Sequence, residues 1–263
     1  MSVKRSARID LVEVFSSVQG EGPDVGASTL FVRLGGCDLR CRWCDSSETW
    51  RPGTQCRLED ARGSGHFTSI PSPLGVDRVL LAARRLEAGA HCFASLTGGE
   101  PLLQPAACVA LAEGLRAMGP RIHLETHGLH AAALAQVLPH LDVVSMDWKL
   151  TSDVRRASDP ARGRVEPFHD AHSRFLELAR EASRVIVKLV ITPSTRDDEV
   201  EEAVTRVAAL HPGACLVLQP VTPCGGVKGR PTAERMLALE RQAALQLPWV
   251  RVIPQTHPVY GVR

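Results

Sequence analysis

The chain has 263 residues, with 31 Lys and Arg against 29 Asp and Glu, and a formal net charge of +2. Charge this close to balance leaves no electrostatic footprint for nucleic acid or an anionic membrane, and four scattered Trp, six Phe and one Tyr make no base-stacking platform. No run of about 18 apolar residues is present to cross a bilayer, and Met1 to Arg8 is short, basic and polar, without the apolar region of a secretion signal.

A cytoplasmic protein with neither nucleic-acid nor membrane partner is therefore expected. The length suits one α/β barrel or two small domains, and either would bury a large core. Of the eight cysteines, Cys92, Cys108 and Cys215 lie in apolar runs and read as small core residues. The pattern fits a reducing compartment, with three thiols used for metal rather than a disulfide scaffold.

Ile9 to Phe15 reads as a first strand, followed by a polar, glycine-containing loop from Ser16 to Pro23. Thr29 to Leu34 is a second strand, and Gly35-Gly36 delivers the chain into a cysteine-rich loop. Residues 50–75 are rich in Arg, Gly, Ser and Pro, have no period, and read as an extended surface insert without a catalytic signal. From Val76 the pattern becomes regular. Val76, Val79, Leu80, Ala83 and Leu86 mark an amphipathic helix, 92–96 a buried strand, and 106–118 a helix ended by Gly119. Strands near 121–125, 142–146, 184–191, 215–219 and 250–253 then alternate with helices near 130–138, 168–182, 197–209 and 232–245. Ser194 or Thr195 is placed to cap the helix that carries Asp198, Glu199, Glu201 and Glu202. Such alternation means a parallel sheet covered by helices, and with no repeat or linker the whole chain, 1–263, reads as one domain.

Cys37, Cys41 and Cys44 are spaced Cys-x3-Cys-x2-Cys. Three thiolates can hold three irons of a cubane cluster and leave the fourth iron open to a small chelating ligand. A structural zinc site normally closes with four ligands, and the nearest others, Cys56 and His66, lie beyond the Pro/Gly-rich stretch. On spacing alone, a zinc site completed by a distant residue stays open, and with it a zinc-stabilised binding module without chemistry.

A parallel sheet places its site at the carboxyl ends of its strands. There stand Thr97-Gly98-Gly99-Glu100-Pro101, Glu125-Thr126-His127-Gly128, Ser145-Met146-Asp147-Trp148-Lys149 and Gln219-Pro220, with Lys188 inside the apolar run 185–191. Each has a plain structural alternative. The glycine pair can be a tight turn, Glu125 and Thr126 a helix cap, and Asp147 with Lys149 an ion pair on one strand face. Lys188, a charge within a buried strand, needs a partner or a ligand, and one of those acids can serve. Their recurrence at one end of successive strands, beside the cysteine loop, argues for a site. Gln19, Glu21 and Arg33 form a second set. Arg33 can fork a carboxylate, and Gln19 and Glu21 offer groups that read a heterocyclic edge, although each alone would be loop solvation or a snorkelling charge.

The cysteine triad with Trp43 before its last member, and Gly98-Gly99-Glu100-Pro101 one strand later, resemble the radical S-adenosylmethionine superfamily over most of the chain. The resemblance implies a partial (β/α)6 TIM-like barrel of parallel strands with the cluster loop at its C-terminal mouth. It also implies a 4Fe–4S cluster whose open iron chelates the methionyl amine and carboxylate.

Phe15 to Gly22, Arg33, Gly36-Cys37, Cys44-Asp45-Ser46, Thr97 to Pro101 and Gln255-Thr256-His257 further resemble the 7-carboxy-7-deazaguanine synthase family. That likeness implies conversion of 6-carboxytetrahydropterin to 7-carboxy-7-deazaguanine and ammonia, in the biosynthesis of queuosine and other 7-deazapurines. Hydrogen would be taken from the pterin C6, the ring would contract, and adenosylmethionine would be re-formed. By the same likeness the pterin falls to Val18, Gln19, Gly20, Arg33 and Thr97, with Arg263 reaching it from the end of the chain. Adenosylmethionine falls to Trp43, Gly99, Glu100, Thr126, Ser145, Asp147, Lys149 and Gln219. Glu21 and Asp45 are the candidates for catalytic proton transfer. Ser46 stands where the family usually has a magnesium-binding threonine, and keeps the hydroxyl. A homodimer and a flavodoxin- or ferredoxin-type electron donor are implied as well. The stretch Ser145 to Lys149 departs from some relatives by two extra residues. A related activase, which installs a glycyl radical in a partner protein, would share the cluster but need a docking groove in place of Gln19, Glu21 and Arg33.

Overall fold

A computed structural model describes residues 7–160 and 163–261. The stretch up to Gly75 holds β1 (Arg8–Ile9), β2 (Leu11–Val18), β3 (Ser28–Leu34), β4 (Leu39–Cys41), β5 (Gln55–Glu59), β6 (Phe67–Pro71) and β7 (Leu74–Gly75). Regular alternation follows: α1 (Val76–Arg85), β8 (Phe93–Gly98), α2 (Pro105–Arg116), β9 (Arg121–Thr126), α3 (Ala131–Val137), β10 (Val143–Asp147), β11 (Val154–Arg156) and α4 (His169–Ala179). The chain ends with β12 (Arg184–Ile191), α5 (Asp197–Leu210), β13 (Cys215–Pro220), α6 (Ala233–Ala244), β14 (Val250–Val252) and α7 (His257–Tyr260).

Ten strands form one sheet in the order β14-β13-β12-β10-β9-β8-β3-β2-β5-β6. The helices pack side by side along its outer face, each of α1 to α6 against the next. Their apolar stripes meet the outward residues Leu96, Leu124, Val144 and Val187 in the main core. The opposite face keeps only a small apolar floor, Phe93, Val143, Ile186 and Val217. Above that floor the inward residues turn polar, which opens a site at the carboxyl ends of the strands.

The sheet is strongly curled. Lys188 of β12 pairs with Glu21, which follows β2, although β10, β9, β8 and β3 stand between the two strands. Five spacings of about 4.8 Å would part them by about 24 Å in a flat sheet. The edges β14 and β6 do not pair, so the curl is that of an open, partial barrel.

Strands β3, β8, β9, β10, β12, β13 and β14 are parallel in a row, the short β14 adding a seventh at the edge beside β13. Three features depart from the sequence expectation. Strand β2 runs antiparallel to β3 and continues through Ser16 and Ser17 to Val18, where a loop was expected. Its polar end is ordered by ladder bonds to Ser28, Thr29 and Leu30, which composition does not reveal. Within 50–75, β5 and β6 form a hairpin that extends the main sheet beyond β2. The α5 N-terminus is Arg196, without a side-chain cap; Thr195 instead receives the Thr192 amide and donates to Asp153. Among the described residues no helix is long and apolar enough to cross a membrane.

Candidate active site

The polar ends of the strands and the cysteine loop enclose a cleft of about 350 Å³. Gly36, at φ 94°, turns the chain out of β3, and the loop is then held from several sides. Strand β4 pairs antiparallel with β11, setting Cys41 opposite Val154. The Asp38 carboxylate accepts from His127 at 2.8 Å and stands 3.1 Å from His130. Gly226 donates to the Arg42 carbonyl at 2.7 Å, and Arg42 pairs with buried Asp153 at 3.0 Å.

Cys37, Cys41 and Cys44 all open onto the cleft. None donates a hydrogen bond among the described residues, whereas Cys108 donates to the Pro101 carbonyl and Cys224 to that of Trp43. Burial pushes the Cys37 thiol up to about 11, the Leu39 backbone opposing it, and Cys41 up to about 12 against nearby Lys149. Three free thiols on one short loop fit the three-iron face of a cubane cluster, which would take them as thiolates and release their protons.

A chain of charges crosses the cleft toward that loop. Lys188 bonds Glu21 and lies 3.0 Å from Asp147; Asp147 accepts from Lys149 at 2.7 Å; the Lys149 ammonium sits 4.5 Å from the centre of the Trp43 ring. Burial works against every charge here, but the pairing outweighs it. Asp147 is held at about 2, and both lysines are raised above their usual value. Gln255 bridges the two proton-transfer candidates, donating to Glu21 at 2.6 Å and to Asp45 at 3.0 Å. Gln219 donates to Glu21 at 3.4 Å, while its side-chain carbonyl oxygen is buried without a hydrogen-bond partner among the described residues.

Glu125 is the centre of a second cluster, although its sequence context fits a helix cap as well. It does not cap α3, whose N-cap is His130. Its carboxylate faces the cleft and accepts from Ser95 at 2.7 Å, Gln19 at 2.9 Å and Thr97 at 3.1 Å. Burial would raise it, yet His123, Ser95 and Gln19 together hold it below the ordinary carboxylate value. Alternation was the available signal, since Glu125 lies two residues beyond inward-facing His123. Phe15, Phe31, Glu13, Gln255 and His257 also line the cleft and were not singled out as site residues.

Of the residues assigned to the pterin, Val18, Gln19, Gly20, Arg33 and Thr97 line this cleft, and Arg263 lies outside the described residues. Of those assigned to adenosylmethionine, Trp43, Gly99, Thr126, Ser145, Asp147, Lys149 and Gln219 line it; so do Glu21, Asp45 and Ser46. Glu100 stands apart. It is fully buried in the wall, where its carboxylate accepts from Leu102 N at 2.9 Å, Thr126 Oγ1 at 2.8 Å and His127 N at 2.8 Å.

Residues 31–207 match the family model of the Radical SAM superfamily, membership of which implies a 4Fe–4S cluster and adenosylmethionine. A curated 7-carboxy-7-deazaguanine synthase from Geobacter sulfurreducens is 36% identical over 256 residues, 96% of this chain and 97% of its own length. Another from Thermococcus kodakarensis is 35% identical over 224 residues, 82% of this chain and 85% of its own. The crystal structure of QueE from Escherichia coli shares the fold, with a TM-score of 0.61 at 23% identity over 97% of this chain and 96% of that one. With three free thiols and the matching motif residues gathered in one cleft, and relatives alike from end to end, the chain is an enzyme that belongs to the 7-carboxy-7-deazaguanine synthase family of the radical SAM superfamily.

Proposed function

We propose that this cleft converts 6-carboxy-5,6,7,8-tetrahydropterin to 7-carboxy-7-deazaguanine and ammonia by radical ring contraction. One observation carries the reading: three free thiols share a cleft with a buried carboxylate–amide pair, Glu125 and Gln19, and with the Arg33 guanidinium. The first set suits radical generation, the second a polar heterocycle, the third a carboxylate. The product is the one named by the curated relatives.

Cys37, Cys41 and Cys44 would hold the cluster, which with adenosylmethionine supplies a 5′-deoxyadenosyl radical for hydrogen abstraction. Trp43, Lys149, Ser145 and Gln219, which all line the cleft, would contact that cofactor, and the Gln219 side-chain carbonyl, without a partner among the described residues, suits a hydroxyl or amine donor. Glu125 and Gln19 complement the N–H donors and carbonyl of a 2-amino-4-oxopyrimidine edge. Arg33 is bonded through Nε to Glu13 at 3.0 Å, and its two terminal nitrogens have no protein partner among the described residues. They offer a fork to the substrate's carboxylate. The Ser46 hydroxyl makes no hydrogen bond among the described residues even though Ser46 caps a short turn, which leaves it for magnesium beside that carboxylate. Glu21 and Asp45, tied together by Gln255, would carry the protons that the departing nitrogen needs. Pairing of two copies and a flavodoxin- or ferredoxin-type donor belong to the same proposal.

The test is anaerobic incubation of reconstituted protein with the pterin, adenosylmethionine, magnesium and a strong reductant, read by mass spectrometry. Formation of 7-carboxy-7-deazaguanine is expected. Cleavage of adenosylmethionine without that product would sink the substrate and keep the radical chemistry.

A further inference from the structure

We infer that the edge hairpin is part of the substrate site: Arg57 of β5, acting through Glu13, positions the Arg33 guanidinium that receives the substrate's carboxylate. The inference rests on the pterin reading of the cleft and assigns a task to the segment 50–75 that the sequence left without one.

Sheet register brings the three residues into line. Glu13 of β2 stands directly opposite Arg33 on one side and Arg57 on the other. Directly opposed residues on neighbouring strands project from the same face, here the concave one. A register shift between Leu11 and Glu13 precedes this row, the kind of irregularity that re-aims a side chain toward a site. Glu13 is 5% exposed, and each of its carboxylate oxygens accepts from a different guanidinium. Arg33 Nε lies 3.0 Å from Oε1, and an Arg57 terminal nitrogen lies 2.6 Å from Oε2. Each arginine is also braced by a ring at 5.5 Å, Arg33 by Phe15 and Arg57 by Phe67. Glu13 and Arg33 line the cleft; Arg57 does not.

The division of oxygens is what matters. A carboxylate left to itself takes a guanidinium side-on, through two parallel bonds. With Oε2 held by Arg57, Glu13 meets Arg33 only at Nε, and the two terminal nitrogens stay available to a ligand. Removal of Arg57 takes away the contact on Oε2 that favours this division, so that side-on pairing of Glu13 with Arg33 competes with the substrate for the same donors. Arg57 is thus a positioning residue.

Arg57→Ala and Arg57→Lys, made in the full-length reconstituted enzyme, test this by steady-state kinetics. Loss of the orienting contact should raise KM for the pterin about tenfold in Arg57→Ala, with kcat within about twofold, and lysine should restore much of the loss. Iron content and melting temperature should stay at wild-type values, whereas a hairpin that only covers the sheet edge would change those and spare KM. A folded Arg57→Ala enzyme with unchanged KM, or one that loses kcat alone, overturns the inference. Wild-type protein that makes no deazaguanine overturns the functional reading and the inference with it, so the two failures are distinguishable.

Discussion

Lys188 is the only charged residue between Val185 and Ile191, and its strand is buried along nearly its whole length. A lysine there must be paired, and the curled sheet brings it both Asp147 and Glu21. Removing one member of a buried charge group leaves the others uncompensated, at a cost of about 3–5 kcal/mol. Lys188→Met should therefore lose stability of that order in urea unfolding; a loss under about 0.5 kcal/mol would mean that the pairing is immaterial. Asp147 gives a pH signature. Burial raises its carboxyl, but Lys149 and Lys188 more than reverse this and hold it at about 2, against 3.8 for a free side chain. A folded value below the unfolded one contributes stability in full above about pH 4, lost as pH falls through about 2. Asp147→Asn should remove roughly 2 kcal/mol of the stability that is lost toward acid pH, and identical pH dependence in variant and wild type would contradict the assignment. Lys188 and the cysteines were legible because their residue types do not belong where the sequence puts them. Glu125 was not, since Glu-Thr before a helix reads equally well as a cap, and only the inward phase of β9 settles which way it points.

At the scale of elements, the junction of two turns matters most for the cysteine loop. The turn after β8 lies against the turn after β3: Gly99 donates to the Leu34 carbonyl at 3.0 Å and Glu100 to that of Gly36 at 2.7 Å. A Cβ on Gly99 would stand 2.1 Å from the Gly36 carbonyl oxygen, so only glycine fits. Gly99→Ala should push the loops apart, cost about 1–3 kcal/mol and lower iron retention after reconstitution. Wild-type iron content and melting in that variant would show that the loops tolerate separation. The sequence offers this pair as a turn or a ligand approach; the backbone contacts show the close packing of loop on loop, and Gly98 and Gly99 both line the cleft. The β5–β6 hairpin is not legible locally because strands of five residues, Gln55–Glu59 and Phe67–Pro71, take their order from β2 rather than from their own pattern. The cap expected of Ser194 or Thr195 failed for a related reason: both hydroxyls are committed to Asp153, which anchors Arg42 of the cysteine loop.

For the whole molecule, strand–helix alternation made the α/β class readable, while contacts between distant segments were beyond any local pattern. The segment after β14 returns to the start of the chain, where Thr256 donates to the Gly20 carbonyl at 2.8 Å and His257 packs so closely that a Cβ on Gly20 would meet it at 2.8 Å. Gln255, held there, joins Glu21 to Asp45 across the mouth. Gln255→Ala should lower kcat about tenfold through loss of that alignment, with iron content unchanged; full kcat in the variant would remove the bridge from the mechanism. The most direct measurement is anaerobic turnover of 6-carboxytetrahydropterin carrying deuterium at C6, with mass spectrometry of product and recovered adenosylmethionine. The expected result is 7-carboxy-7-deazaguanine, deuterium in the adenosylmethionine pool, and no accumulation of 5′-deoxyadenosine in step with product. One 5′-deoxyadenosine per product, or adenosylmethionine that never gains the label, would contradict the proposal that the cleft takes the C6 hydrogen and returns it.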